Sequence, residues 1–209
     1  MIKVTEWLSS HLATRHLVAS KRGETMRPTE VLKQEHEVIK RMIGILETAC
    51  DRLERGEELP ANLFRQVVDF IRTFADRCHH GKEEDFLFPR LEERGIPREG
   101  GPLEVMLLEH EEGRHFVRGM AEAAEKYGRG EAGAKAALVE NARGYTTLLT
   151  SHIAKENDVL YPMGEQVLTE ADEQELLERF EEVEQVRIGE GKHEEYHQLV
   201  HRLEAQLGR

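Results

Sequence analysis

"HHGKEEDFLFP", His79 to Pro89, holds two adjacent histidines, each followed four residues later by a glutamate: His79 with Glu83 and His80 with Glu84. Four residues is about one helical turn, so either pair can aim two metal-ligating groups in one direction. Helical periodicity alone does not choose between them. Val67, Ile71 and Phe74 mark the apolar stripe upstream, and both histidines fall well off its centre, while Gly81 gives the helix a place to adjust.

A second stretch makes the choice. "HIAKENDVLYP", His152 to Pro162, aligns under the first without a gap. His152 falls on His79, Lys155 on Lys82, Glu156 on Glu83, Asp158 on Asp85, Leu160 on Leu87, Tyr161 on Phe88 and Pro162 on Pro89. His80 falls on Ile153 and Glu84 on Asn157, which form no matching pair. The repeat extends upstream: "QEHEV" around His36 matches "LEHEE" around His110. His36 precedes His79 by 43 residues and His110 precedes His152 by 42, so the spacing is kept as well. The chain therefore reads as two helix-pair halves, each supplying one lone histidine and one His-x-x-x-Glu pair, and the pair in the first half is His79 with Glu83.

The other candidates lie on apolar stripes. Leu32, His36, Ile39 and Ile43 share a face, as do Leu103, Leu107, His110 and Val117, and Tyr145, Leu149, His152, Glu156 and Val159. A lone histidine on such a stripe is commonly a satisfied core residue. Four in matched positions, two of them with a carboxylate one turn on, are better explained by a metal, because burying two carboxylates without cations is very costly. Four imidazoles and two carboxylates from facing helices suit a pair of iron ions, each taking two histidine nitrogens while the glutamates bridge. Closed tetrahedral zinc sites need no such shared set, and no thiolate cluster points to iron–sulfur chemistry.

The rest of the chain reads as helix and loop. Helices are predicted over about 29–55, 61–94 (with Pro89 interrupting the last turns), 103–127 and 134–163, followed by an acidic helix over 170–186 and a last one over 193–207. Long helices joined by short loops imply an all-α, antiparallel four-helix bundle. The expected organisation is an N-terminal extension (1–27), the bundle (28–165) and a C-terminal helical extension packed on it (166–209). A net charge of −12 argues against a nucleic-acid or anionic-membrane surface. No apolar run is long enough to span a bilayer. The first residues lack a signal-peptide pattern, and Cys50 and Cys78 are isolated, so a cytoplasmic setting is expected.

The combination of His36, "HHGKEEDFLFP", "EHEEGR" and "HIAKENDVLYP" resembles the hemerythrin-like (HHE cation-binding) family over residues 29–165. The resemblance implies a four-helix bundle holding a non-haem di-iron centre with ligands His36, His79, Glu83, His110, His152 and Glu156. Arg114 stands where the oxygen-carrying hemerythrins have a second third-helix histidine, and the last pair is His-x3-Glu in place of His-x4-Asp. Both departures point to the bacterial di-iron members, including those linked to iron–sulfur repair and nitrosative stress. Their cysteine-containing N-terminal module has no counterpart here. The implied function is binding or reaction with oxygen, peroxide or nitric oxide, in stress response or iron-centre repair; the alternative is non-catalytic oxygen or iron sensing, with the acidic C-terminal helices contacting a partner. Electron donor and protein partner are not indicated.

Tyr145, two turns before His152, is the candidate for a hydroxyl approaching the irons. His80 is expected beside the ligands or at the surface. His193, His197 and His201, spaced at four, read as an exposed polar face.

Overall fold

The computed structural model describes residues 26–189 and 191–208; residues 1–25 of the expected N-terminal extension lie outside the described residues. Helix α1 spans Pro28–Glu54. Pro28 suits a first helical position, where its missing N–H is not needed. The Glu30 carboxylate accepts from the Arg27 backbone N–H at 2.9 Å and ties down the entering chain.

The second rod runs unbroken from Ala61 to Glu93: α2 (Ala61–Phe70), a wide-turn π-helical stretch π1 (Ile71–His80), a second, π2 (Glu83–Leu87), and α3 (Phe88–Glu93). Helix α4 is Pro102–Gly128. The fourth rod joins α5 (Ala134–Lys155), π3 (Glu156–Leu160) and α6 (Tyr161–Val167). Then come α7 (Glu170–Glu182), π4 (Val183–Ile188) and α8 (Lys192–Leu207). No strand occurs among the described residues. The fold is all-α, as the periodicity implied.

The wide turns correct the expectation that Pro89 interrupts its helix. Pro89 and Pro162 have no N–H to return to Asp85 and Asp158. Just before each proline the helix relaxes to a five-residue bond, from the Phe88 N–H to the Glu83 carbonyl and from the Tyr161 N–H to the Glu156 carbonyl. The same widening in π1 places His79 one wide turn beyond buried Phe74 and brings it inward. In π3 the widening removes Val159 from the stripe on which the α-helical period placed it: Val159 is 52% exposed, and Leu160 and Tyr161 turn inward in its place.

Helix α4 packs along α5 and α2, and α1 along α5 and π1. The contact between α4 and α5 is close because it is made at glycines. A Cβ on Gly119 would lie 2.1 Å from Asn141 Oδ1, and one on Gly144 2.3 Å from the Phe116 ring. The apolar interior has two parts. The larger contains Ile39, Met42, Phe74, Val117, Tyr145 and Leu149. The smaller contains Leu32, Leu87, Phe88, Met106, Leu160 and Tyr161. On every rod the predicted polar donors fall between the two sets, so the bundle holds a polar layer between two apolar ones.

The C-terminal helices continue these parts: Leu176 and Phe180 of α7 join the smaller, Tyr196, Leu199, Val200 and Leu203 of α8 the larger. Arg90 and Arg94 bind Asp172 at the start of α7, and Arg41 binds Glu204 at 2.6 Å. Among the described residues, no helix is long and apolar enough to cross a membrane.

Candidate metal centre

The structure brings His36, His79, Glu83, His110, His152 and Glu156 together, each about 1% exposed or less. The imidazoles pair, His36 with His79 at 4.5 Å between ring centres and His110 with His152 at 4.7 Å. The carboxylates lie between the pairs. Glu156 comes within 3.2 Å of Nε2 of both His36 and His152. Glu83 Oε2 lies 3.8 Å from His79 Nε2 and 3.5 Å from His110 Nε2.

All four rings are oriented alike, with Nδ1 outward on an acceptor and Nε2 inward. His36 Nδ1 meets Asn157 Oδ1 at 2.9 Å, His79 Nδ1 meets Glu35 at 2.9 Å, His110 Nδ1 meets Glu84 at 2.6 Å and His152 Nδ1 meets Glu109 at 2.9 Å. Donation from Nδ1–H leaves a neutral imidazole with a bare Nε2 lone pair, the state a metal ligand requires. The holders follow the repeat: Glu35 corresponds to Glu109, and Glu84 to Asn157. Lys82 and Lys155 complete the pattern, each bound to the glutamate that holds the nearby histidine.

The donors need something at their centre. His36 Nε2, His79 Nε2, Glu83 Oε2 and both Glu156 oxygens are buried without a hydrogen-bond partner among the described residues. His110 Nε2 and His152 Nε2 face one another at 3.0 Å, a repulsive contact between lone pairs unless a positive charge lies close by. Burial lowers His79 to about 4, His36 adding to the effect and Glu35 opposing it. Burial also drives His110 well below its ordinary value, with His80 and His152 contributing. Burial, and then the neighbouring Glu156, push Glu83 well above the usual carboxylate range. At His152 burial is outweighed by Glu156 and Glu109, which raise it, so neutral His79 and His110 stand beside buried carboxylates, a donor set that fits cations.

His80 is buried, and its ring nitrogens come close to those of His110 and His152. It nevertheless stacks on His110 at 3.8 Å with planes 15° apart. A metal lies near the plane of each imidazole that binds it, so two stacked, near-parallel rings cannot share one ion. His80 instead points Nδ1 toward Asp76 at 3.5 Å. Arg114 clamps the same corner, reaching Asp76 and Glu84 at 2.7 Å each.

Tyr145 is buried, and its hydroxyl has no hydrogen-bond partner among the described residues. The hydroxyl that reaches the donors is that of Tyr161, which donates to Glu83 Oε1 at 2.6 Å. Burial, with Glu156 and Glu83 beside it, raises the phenol well above its ordinary value and keeps it a donor. The repeat places Tyr161 directly after the His-x-x-x-Glu segment, which was the signal available for it.

The expected exposed histidine face of α8 is corrected in part. His193 and His197 are half-buried against Phe74, at 4.8 and 6.2 Å, because α8 seats Tyr196 and Val200 on the bundle and turns their flank inward. His193 Nε2 lies 3.6 Å from Glu35. His201 is exposed. Glu184, from π4, binds Lys82 at 2.5 Å. The Glu35–Glu184–His193 cluster is therefore already occupied by the Lys82 ammonium. Burial opposes ionisation of Glu35, but Lys82, His193 and His79 outweigh it and hold the carboxyl well below its ordinary value.

A helical bundle whose four rods each turn histidine inward, two adding glutamate, is a metal-binding bundle. The family model of the Hemerythrin HHE cation binding domain matches residues 27–164, and the chain belongs to that family. Uncharacterized proteins of Mycobacterium bovis and Mycobacterium tuberculosis are 27% identical to it over 179 residues, covering 86% of this chain and 69% of theirs. No solved structure matches the chain.

Proposed function

We propose that the chain is a non-haem di-iron protein that binds or reacts with oxygen, peroxide or nitric oxide, in oxidative or nitrosative stress or in iron-centre repair. His36, His79, Glu83, His110, His152 and Glu156 would hold the two ions. The observation that carries this reading is the set of inward donor atoms left without hydrogen-bond partners among the described residues while every outward Nδ1 is held. Two histidines and shared carboxylates per ion favour iron over closed tetrahedral zinc. When bound, such a pair supplies reversible electron transfer toward small oxygen or nitrogen species.

The chain's own residues supply the rest. Glu35, Glu84, Glu109 and Asn157 fix the tautomer and direction of each imidazole. Apolar layers on both sides, with Phe88 and Tyr161 against His110 and His36, exclude water. A binding or sensing module is the second reading. It is favoured by Glu184 and His193, which connect the C-terminal helices to the carboxylate that holds His79.

Turnover by iron-loaded protein separates the two. Sustained consumption of peroxide or nitric oxide supports the reactive protein, and stoichiometric, reversible oxygen uptake supports the module. Inertness of the loaded protein toward all three would overturn both.

A further inference from the structure

The ligand shell is built twice, once per half, and the repeat shows where the halves differ. Tyr161 and Phe88 occupy equivalent positions. Both rings stack on a lone histidine, Tyr161 on His36 at 5.6 Å and 8°, Phe88 on His110 at 5.9 Å and 19°. Only Tyr161 carries a hydroxyl, and it donates to Glu83 Oε1 at 2.6 Å. Among the described residues, Glu156, the repeat equivalent of Glu83, has no hydroxyl donor: its oxygens meet the Nε2 atoms of His36 and His152 at 3.2 Å, whereas Glu83 has only Oε2 without a partner. Two carboxylates equivalent in sequence are inequivalent in what they can offer a metal.

We propose that Tyr161 is a positioning residue that restricts Glu83 to one metal-directed oxygen, so that a coordination position for a small anion opens on the Glu83 side of the iron pair and not on the Glu156 side. The inference rests on the di-iron reading above. A short hydrogen bond to a buried carboxylate is among the stronger kinds, and both partners are fully buried, so water does not compete for it. The stack on His36 holds the ring in place, so the hydroxyl cannot follow Oε1 if that oxygen turns toward a metal. The chemistry of the open position follows from its neighbours: a compact anion or diatomic species fits a site walled by imidazoles and an aromatic ring.

The test uses azide as the probe, on iron-loaded wild type and Tyr161→Phe, with iron per chain and azide-dependent absorbance read together. The substitution removes one oxygen and keeps the stacked ring. Both proteins are expected to hold two irons. Wild type should bind one azide per iron pair. Tyr161→Phe should bind it about 10-fold or more weakly, because the freed Oε1 competes for the same position. Equal azide affinity at equal iron content would overturn the role of Tyr161 alone. Iron loss confined to the variant would make Tyr161 a residue of metal retention and overturn the proposal too. Two azides per iron pair in wild type, or none, overturn it whether or not the variant folds. A wild type that takes up no iron pair overturns the di-iron reading and this inference with it.

Discussion

Replacing Glu35 with Ala, beside Glu109→Ala at the repeat-equivalent position, separates two jobs that the two glutamates share unequally. Each holds the Nδ1 of a metal-facing histidine at 2.9 Å and binds a lysine. Loss of such a contact costs about 10–100-fold in metal affinity, and the same range is expected at both sites. Stability should divide them. Glu35 and Lys82 are buried, at 3% and 0% exposure, whereas Glu109 and Lys155 are at 15% and 39%. Removing one partner of a buried ion pair costs roughly 3–5 kcal/mol, less here because Glu184 still binds Lys82. Removing an exposed one costs about 0–1 kcal/mol. Metal-free Glu35→Ala should therefore be less stable than metal-free Glu109→Ala by roughly 2–3 kcal/mol, or on the order of 4–12 °C in Tm for a chain of this size. Glu35→Gln keeps an acceptor for His79 but not a charge for Lys82, so it should restore much of the metal affinity and little of the stability. Urea unfolding of the metal-free proteins measures the first quantity and chelator competition the second. Equal stability losses, or a metal defect at one site only, would refute the division.

His79→Ala should lose more iron than His80→Ala, and Glu83→Ala more than Glu84→Ala; the reverse order, measured as iron per folded chain, would mean the second rod presents its other pair. Replacing His193, His197 and His201 together with Gln should leave the irons bound, since only His193 approaches the centre and it faces Glu35; loss of half the iron from folded protein would contradict this. Asp172→Asn should loosen α7, because the amide still accepts from the Thr169 N–H but gives up the charge that Arg90 and Arg94 bind. Arg94, Thr169 and Arg90, against some burial, hold the Asp172 carboxyl well below its ordinary value. Its contribution is therefore complete above about pH 4 and lost as pH falls through the lowered value. The variant should lack that part of the acid sensitivity of unfolding, and identical acid profiles would remove Asp172 from the account.

The six inward donors were legible because the duplication supplied an internal control: a residue type kept in both halves at one spacing is seen without any other sequence. The same control held more than was read from it. Glu35 matches Glu109 and Lys82 matches Lys155, and these pairs orient the histidines, yet in a sequence a glutamate beside a histidine looks like any solvated charge. Tyr145 stands out in the sequence because it shares the apolar stripe of His152 two turns upstream, whereas Tyr161 lies beyond a segment that is not α-helical and so off any α-helical stripe. The π-turns before Pro89 and Pro162 shift every later side chain around the rod, bringing Tyr161 in and sending Val159 out. Periodicity cannot report such a shift, although a proline one residue beyond a repeated motif does hint at it. The exposed face expected for His193 fails for a different reason: its inward turn depends on where α8 docks, which is a tertiary fact.

Iron per chain with the optical spectrum of purified protein tests the central claim most directly. Protein from iron-replete cells, or reconstituted with ferrous iron, is expected to hold about two irons per chain, following from the ligand count. Its near-ultraviolet ligand-to-iron absorption should change on reduction and on exposure to oxygen. Stoichiometric zinc, with no iron taken up on reconstitution, would contradict the account.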